Sequence, residues 1–244
     1  MAGREHTVEW HLVKGGFFDG LEREFEAFRK LASVRRLKKN AIVFFEGDRC
    51  DRSFYLDRGS VKIFRVSLHG KEPTFFIRSE GEMFGLAEVV GGERRKCSAQ
   101  ALADGVLLEI RRDDLLELLA TQPFMARRII EVLGRRIRYL SEQLENVMTC
   151  DVPTRLLKLL LCLSHDEIAQ ARGGPADVPV RLTQGQIAAM TGSCQQTVSE
   201  TLAAFEARGL IAVSRQRIRL LDPGAILEAL SFGEDGGAET RKAP

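Results

Sequence analysis

Residues 183–221 constrain this chain most, because their capping and turn signals define two short helices followed by a hairpin. Thr183 precedes Gln186 by three residues, which is the spacing of a capping box at the start of a helix. Gly192 ends that pattern, and a second Ser-x-x-Gln box at Ser193 predicts that another helix starts at once. Two short helices joined by a tight turn are typical of a helix-turn-helix.

The second of these helices is expected to turn Val198, Leu202 and Phe205 inward. Its opposite face would then lie in a DNA major groove, with the first turn at the base edges. Two roles stay open for Glu200, since it could accept from a cytosine amino group or hold a neighbouring arginine. The predicted base-reading residues are Gln195, Gln196, Ser199 and Glu200.

Alternating residues after the second helix predict a small hairpin, or wing, with strands at 211–213 and 217–221 around a turn at 214–216. Residues 151–232 contain eight Lys or Arg and eight Asp or Glu, so DNA binding would depend on the placement of cations rather than on net charge. The predicted phosphate contacts are Thr183, Gln184, Thr197, Arg215 and Arg217.

The chain has 244 residues, of which 44% are hydrophobic and 29% are charged, a size that favours two domains. Lys158 interrupts the longest apolar run, at 156–163, and the N-terminus has no signal-peptide pattern, so we expect a cytoplasmic protein without a membrane partner. Five cysteines without a Cys-x-x-Cys pair favour reduced thiols and indicate no metal site.

Short β-forming runs separated by glycine and aspartate dominate residues 34–110, which predicts a jelly-roll β-barrel. A helix through Leu21, Phe25, Phe28 and Leu31 should precede it. The predicted strands are 41–45, 53–56, 60–66, 73–78 and 98–110.

From Ala126 the apolar residues follow a 4,3 spacing, which predicts a long helix with a heptad seam. We favour a homodimer over packing of this helix on its own domain, since such a seam needs a partner helix. A two-fold dimer would bind double-stranded DNA at an inverted repeat, with half-site centres about 10 base pairs apart. The predicted seam is Ile130, Leu133, Ile137, Leu140, Leu144 and Val147.

Together these patterns predict an α+β chain with a hinge at Asp151-Val152-Pro153. Its expected segments are a sensing barrel at 1–112, a dimerisation helix at 113–150, a winged helix-turn-helix at 151–232 and a disordered tail at 233–244.

This order resembles the Crp/Fnr superfamily of bacterial regulators over residues 21–221. Phe44-Phe45-Glu46-Gly47-Asp48 is similar to the family's barrel turn, and Gly81-Glu82-Met83-Phe84-Gly85 resembles its pocket entrance. The resemblance implies a transcriptional regulator rather than an enzyme, with a cyclic-nucleotide-binding-like barrel that senses a small effector, and RNA polymerase as a candidate partner. Family members that read TGTGA-type half-sites carry arginines where this chain has Gln195 and Glu200, so a different DNA sequence is expected.

The resemblance also implies an effector site. Cyclic-AMP-binding members carry a ribose-binding Glu and a phosphate-binding Arg where this chain has Leu86 and Cys97, which disfavours cyclic AMP. The purine-binding Thr-Ser pair corresponds to Leu140-Ser141. The cations at 94–96 could instead hold another anion beside Ser98, or could form a solvated loop. The predicted pocket residues are Gly85, Leu86, Arg94, Arg95, Lys96, Cys97, Ser98, Leu140 and Ser141.

Several alternatives remain for the sensing chemistry. Iron–sulfur relatives have an N-terminal cysteine group, and no cysteine precedes Cys50, so we expect no cluster. Cys50 and Cys97 follow cations that could favour redox-active thiolates, or they could be small buried hydrophobes. Haem stays an alternative, although the histidines form no ligand pattern. They are His6, His11, His69 and His165.

Two alternative functions belong to other classes of protein. A cupin-like barrel enzyme would need clustered histidine and acidic ligands, and the barrel region offers only His69. A constitutive DNA-binding protein would fill the pocket with its own side chains, such as Leu86 and Leu140.

Overall fold

The computed structural model describes residues 16–235, which divide into two compact units. The described residues up to Leu140 form one unit and those from Ser141 onward form the other, so the division falls inside one long helix. His6, His11 and residues 236–244 of the predicted tail lie outside the described residues. Within 16–235 no helix is both long enough and apolar enough to cross a bilayer.

The first unit begins with a short helix and continues as eight strands. Its elements are α1 (Glu22–Leu31), β1 (Ser33–Leu37), β2 (Ile42–Phe44), β3 (Arg52–Arg58), β4 (Val61–Phe64), β5 (Thr74–Arg78), β6 (Met83–Phe84), β7 (Ser98–Ala101) and β8 (Gly105–Arg111). The strands form two antiparallel four-stranded sheets, with the orders β1-β8-β3-β6 and β2-β7-β4-β5. The predicted jelly roll and the helix before it are therefore confirmed.

Apolar side chains form two buried clusters in the first unit. Leu56, Phe84 and Leu107 belong to one buried cluster, and Phe28 of α1 belongs to a second. Their removal from water stabilises the unit roughly in proportion to the apolar area buried. Gly105 is required where β3 and β8 meet, since a Cβ atom there would lie 2.3 Å from the carbonyl oxygen of Arg58.

The strands differ from the prediction in two respects. Residues 98–110 form two strands rather than one, because residues 102–104 turn and the Asp104 carboxylate accepts a hydrogen bond from the Lys39 amide at 2.8 Å. The prediction also missed β1 and β6. Adjacent arginines obscure the alternation of β1, and β6 has only two residues.

Two helices follow the barrel, α2 (Arg112–Thr121) and the 27-residue α3 (Pro123–Thr149). The predicted long helix is thus confirmed. Along α3, Ile130, Ile137 and Leu144 are 70%, 65% and 62% exposed, and Leu140 and Val147 are also exposed. Leu133 is partly buried against the barrel core. The described chain therefore leaves most of the predicted seam open to solvent.

The second unit contains a short helical cluster and a three-stranded sheet of order β10-β11-β9. Its elements are α4 (Val152–Leu163), α5 (His165–Ala171), β9 (Ala176–Asp177), α6 (Gln184–Thr191), α7 (Gln195–Ala207), β10 (Ile211–Ser214), β11 (Arg217–Leu220) and α8 (Pro223–Asp235). Asp151 caps α4 by accepting from the Thr154 amide at 2.9 Å. The predicted tail start at residue 233 is wrong, because α8 continues to Asp235.

Candidate nucleic-acid interface and effector pocket

Helices α6 and α7 form the helix-turn-helix, and the first predicted capping box is present. The Gln186 amide donates to the Thr183 hydroxyl at 3.2 Å, and the Thr183 amide donates to the Gln186 side chain at 2.8 Å. Gly192 ends α6 with a φ of 62°, a left-handed conformation that glycine adopts without a Cβ clash. This reversal brings α7 back against α6.

The second predicted capping box, at Ser193 and Gln196, is wrong. The Ser193 amide closes the end of α6 by donating to the Ala188 carbonyl at 3.0 Å, so the chain becomes extended only at the next residue. Cys194 is the N-cap of α7, and its Sγ accepts from the Thr197 amide at 3.5 Å. Sulfur is an uncommon cap, which is why the sequence pattern favoured the neighbouring serine.

The two faces of α7 are as predicted. Val198, Leu202 and Phe205 are buried, whereas Gln195 and Gln196 are exposed. Polar groups are therefore presented along the first turn of α7, next to the turn that joins the two helices.

The remaining predicted base-reading residues continue the exposed side of α7. Ser199 is half-buried and Glu200 is exposed. The Gln196 Nε2 donates to the Glu200 carboxylate at 3.0 Å, so Glu200 orients a glutamine rather than an arginine. This hydrogen bond leaves the amide oxygen of Gln196 free to accept from a base edge.

The predicted phosphate contacts divide into two groups. Arg215 and Arg217 are exposed, and their guanidinium groups make no hydrogen bond or ion pair with residues 16–235. The Thr183 amide donates to Gln186 in the capping box, while Gln184 starts α6, and the phosphate contacts of both residues stay predictions. The Thr197 hydroxyl contacts Cys194 Sγ at 3.1 Å.

The wing is the hairpin of β10 and β11, with Ile218 and Leu220 buried. Its other face exposes Arg219 and Arg217. Arg219 forms two hydrogen bonds with Asp177, at 2.7 and 2.8 Å, which leaves Arg217 as the unpaired cation on β11. The predicted three-residue turn is wrong, because Ser214 pairs with Arg217 and only two residues remain in the turn.

That two-residue turn contains strain that glycine would relieve. Arg215 and Gln216 have φ of 45° and 67°, a left-handed conformation that costs roughly 1–2 kcal/mol for an ordinary residue. We expect Gln216→Gly to stabilise the wing by about 1 kcal/mol and to slow hydrogen exchange of the wing amides about fivefold. Gln170→Gly, in helix α5, should instead destabilise its helix by about 1 kcal/mol. Unchanged wing exchange in the Gln216→Gly variant would contradict the assignment of strain.

Cys194 should react differently from the other thiols. Hydrogen bonds from the Thr197 side chain, and then from its backbone amide, lower the pKa of the exposed Cys194 thiol. Burial raises the pKa of Cys97 to about 11. A lower pKa means more thiolate near neutral pH, so we expect iodoacetamide to label Cys194 first at pH 7–8. Peptide mass spectrometry would follow the order of labelling, and labelling of Cys97 ahead of Cys194 would contradict it.

The guanidinium of Arg95, a residue that is 2% exposed, is buried inside the barrel. It lies 4.2 Å from the ring centroid of Phe44 and donates to the carbonyls of Gly85, at 3.0 Å, and Arg52. Its Nε has no hydrogen-bond partner among the described residues. Gly85 has a φ of 70°, a left-handed conformation that favours glycine, and a Cβ atom there would also come within 2.9 Å of this guanidinium.

Arg95 places a buried cation two residues before Cys97, the position where cyclic-AMP-binding members have an Arg. The carboxylate of Glu88, which sequence reasoning missed, lies 3.8 Å from the Arg95 guanidinium. Burial, reinforced by Glu88 and opposed by Arg95, raises the pKa of Cys97. Burial also raises the pKa of Cys50. Of the two alternatives for these cysteines, the raised pKa values and the apolar side chains around both thiols favour small buried hydrophobes over thiolates.

The other predicted pocket residues are dispersed. Leu86 is buried in the core beneath the barrel, and the Ser98 hydroxyl accepts from the Glu46 amide at 2.9 Å. Arg94 and Lys96 are exposed, so only the middle cation of the 94–96 run enters the barrel. Leu140 and Ser141 are both exposed positions on α3.

Two more arginines with a buried Nε atom, Arg78 and Arg136, were not predicted. Arg78 is buried, donates to Glu82 at 3.0 Å and lies 4.3 Å from the ring centroid of Phe76. Arg136 of α3 donates to the Met83 carbonyl, and burial, followed by repulsion from Arg78, lowers its pKa. Each has a buried Nε without a hydrogen-bond partner in the described chain. For Arg78, the sequence signal was its position as the charged last residue of the otherwise largely apolar strand β5.

The remaining candidate ligands do not cluster. His69 is exposed in the loop between β4 and β5, and His165 contacts Asp166 at 3.2 Å. Within residues 16–235, no group of three His, Cys, Asp or Glu side chains could hold a metal ion.

Comparison with known proteins gives matches over both units. A family model for the cyclic nucleotide-binding domain matches residues 34–122, and one for the Crp-like helix-turn-helix domain matches residues 154–229. A CRP-like cAMP-activated global transcriptional regulator of Mycobacterium tuberculosis is 30% identical over 212 residues, which cover 86% of this chain and 94% of that protein.

Two further relatives extend the comparison. The global nitrogen regulator of Synechococcus elongatus is 27% identical over 212 residues, covering 84% of this chain and 95% of that protein. The c-di-GMP responsive global regulator CLP of Xanthomonas campestris shares the fold, with a TM-score of 0.68 at 21% identity over 82% of this chain and 99% of that chain.

Proposed function

The chain belongs to the Crp/Fnr superfamily of DNA-binding transcriptional regulators, and from that premise we propose a specific mode of action. It acts as a homodimer that binds an inverted-repeat DNA site, under the control of a small anionic effector held in the barrel. RNA polymerase is a proposed partner of the DNA-bound dimer, and access to DNA agrees with the cytoplasmic location that the sequence predicts.

The exposed first turn of α7 supports the proposed mode of DNA binding. Gln195 and Gln196 project from a helix whose opposite face is anchored by three buried apolar residues, so the helix can enter a groove without losing its packing. Two glutamines favour adenine contacts. Arg215 and Arg217 supply unpaired cations on the wing for the phosphate backbone.

The exposed seam of α3 supports the dimer. Ile130, Ile137 and Leu144 are spaced seven residues apart and remain largely exposed in the single chain. Burying such residues against a second copy of the helix would remove their apolar surface from water, at roughly 1.5–3 kcal/mol for each fully buried side chain.

The observation that carries the effector proposal is the buried guanidinium of Arg95. A buried arginine with an unused donor is costly unless a charged partner completes its hydrogen bonds. Glu88 lies 3.8 Å away, so this ion pair is longer than a direct hydrogen bond. An effector phosphate or carboxylate beside Arg95 would supply the short, charge-assisted contact.

Native mass spectrometry of the protein as purified tests this function. We expect a complex of twice the 27.2 kDa chain mass, carrying a small acidic compound that denaturation releases. Arg95→Gln should lose that compound, whereas Lys96→Gln, which changes a neighbouring exposed cation, should keep it. A monomer would refute the dimer, and a compound retained by Arg95→Gln would refute the assigned effector contact.

Cyclic AMP is a specific alternative, since the M. tuberculosis relative is described as cAMP-activated. Leu86 stands where cyclic-AMP-binding members have the ribose-binding Glu, so we expect added cyclic AMP to leave the melting temperature unchanged. A rise in the wild type that Arg95→Gln abolishes would show that cyclic AMP is the effector.

A further inference from the structure

An open cleft of about 820 Å³ lies in the first unit, where the start of β3 meets the end of β8 and the beginning of α2. Arg95, whose guanidinium is buried inside the barrel, is not among the residues that line this cleft. Three separate segments line it, namely 49–52, 92–94 and 111–113. Its arginines are Arg49, Arg52, Arg94, Arg111 and Arg112.

The cleft is positively charged. Its five arginines face three carboxylates, from Asp51, Glu93 and Asp113, which leaves a net charge of +2. Glu93 also pairs with Lys96 at 3.6 Å, which reduces its effect on the cleft. A concave surface with one dominant sign of charge concentrates ions of the opposite sign.

Arg52 and Arg111 are a like-charged pair directly opposite each other in the β3–β8 ladder. Such pairs destabilise a sheet unless a counter-charge lies between them. Glu109 contacts Arg52 at 3.1 Å, but it also contacts Arg35 at 3.1 Å and is therefore shared. The guanidinium of Arg111 makes no hydrogen bond or ion pair with residues 16–235, and the same is true of Arg49.

Neutral carbonyl groups hold two of the remaining arginines in place. Arg112 donates to the carbonyls of Val89, at 2.8 Å, and Val90, at 3.3 Å, and Arg94 donates to the carbonyl of Gly47 at 2.8 Å. These contacts orient the guanidinium groups, and the carbonyls do not neutralise them. Arg112 also lies 3.6 Å from the Asp113 carboxylate, which offsets part of its charge. The cations are thus preorganised, which lowers the entropic cost of binding an anion.

The lining indicates the chemistry of the ligand. The residues that line the cleft are charged, apart from Gly92 and the buried Cys50. The cleft therefore offers no aromatic or aliphatic side chain on which a protein partner could be anchored. Guanidinium groups match phosphate through paired N–H donors. Cations from three segments could engage more than one phosphate group at once. We propose that this cleft binds a small polyphosphate, a compound with at least two phosphate groups.

Isothermal titration of the full-length protein with inorganic tripolyphosphate, at about 0.15 M salt, tests this proposal. Arg49→Gln/Arg111→Gln should weaken binding by at least about tenfold, because it removes the two unpaired cations. The matched control is Arg23→Gln/Arg36→Gln, which removes the same charge from two exposed positions outside the cleft and should change affinity less than about twofold. Thermal melting of both variants checks that the barrel remains folded.

Four results would overturn the proposal. They are no binding by the wild type, equal weakening by the two double variants, loss of tripolyphosphate binding in Arg95→Gln alone, and tighter binding of a polyglutamate peptide than of tripolyphosphate. Loss of binding in Arg95→Gln would place the anion beside Arg95 inside the barrel. Tighter binding of polyglutamate would identify an acidic protein segment as the partner. The inference does not depend on the proposed effector, since each site has its own variant.

Discussion

Replacing Gln196 with alanine is expected to weaken specific DNA binding by about 2–6 kcal/mol per dimer, or about 30-fold to more than 10,000-fold. One well-placed contact to a base edge is worth about 1–3 kcal/mol of discrimination, and a dimer would make it twice. The two half-sites are far apart, so their losses should add. The side chain is exposed on α7 and its main protein contact is to Glu200, so folding should be unaffected.

The measurement is fluorescence anisotropy with a duplex selected by the wild-type protein from random sequences, at fixed salt. Gln170→Ala is the matched control, because it truncates an exposed glutamine on α5 of the same unit. It should bind the selected duplex as the wild type does. Wild-type affinity in Gln196→Ala would show that the first turn of α7 does not read bases.

Leu144→Glu is expected to weaken the proposed homodimer by at least about 1,000-fold, because it removes two buried leucines at about 1.5–3 kcal/mol each and places two carboxylates in an apolar seam. Leu144 is 62% exposed in the single chain, so the monomer should fold normally. Analytical ultracentrifugation over a concentration series would measure the change. DNA affinity should fall with it, since a monomer contacts one half-site only.

Phe124→Glu is the control for the seam. Phe124 lies on the same helix and is 59% exposed, but its position falls outside the 4,3 pattern of the seam. This variant should remain dimeric at concentrations where Leu144→Glu has dissociated. If the two variants behave alike, the exposed stripe of α3 is not the dimer interface.

Local sequence signals predicted much of this molecule, because the signals and the structure depend on the same short-range physics. The capping box at Thr183, the left-handed Gly192 and the buried stripe of α7 each involve residues a few positions apart. The 4,3 spacing of α3 is likewise a property of one helix. Such features need no knowledge of distant partners, so the helix-turn-helix and the long helix were predictable.

Sequence reasoning failed where neighbouring residues competed for the same role. Ser193 and Cys194 are adjacent, and the choice of cap depended on which amide closed the end of α6. In the 94–96 run, three consecutive cations looked equivalent, and only Arg95 turned into the barrel. A side chain in a strand or loop faces inward or outward according to register, and one residue reverses the direction.

The amino-acid sequence therefore determined the order of domains, the helix faces and the residues available to read DNA, since these follow from periodicity and capping along the chain. The tertiary structure decided which charged groups are buried and which gather at one place. Glu109 beside Arg35, and Arg52 opposite Arg111, are contacts between facing strands that are far apart in sequence. Strand pairing sets those distances, and no local pattern encodes them.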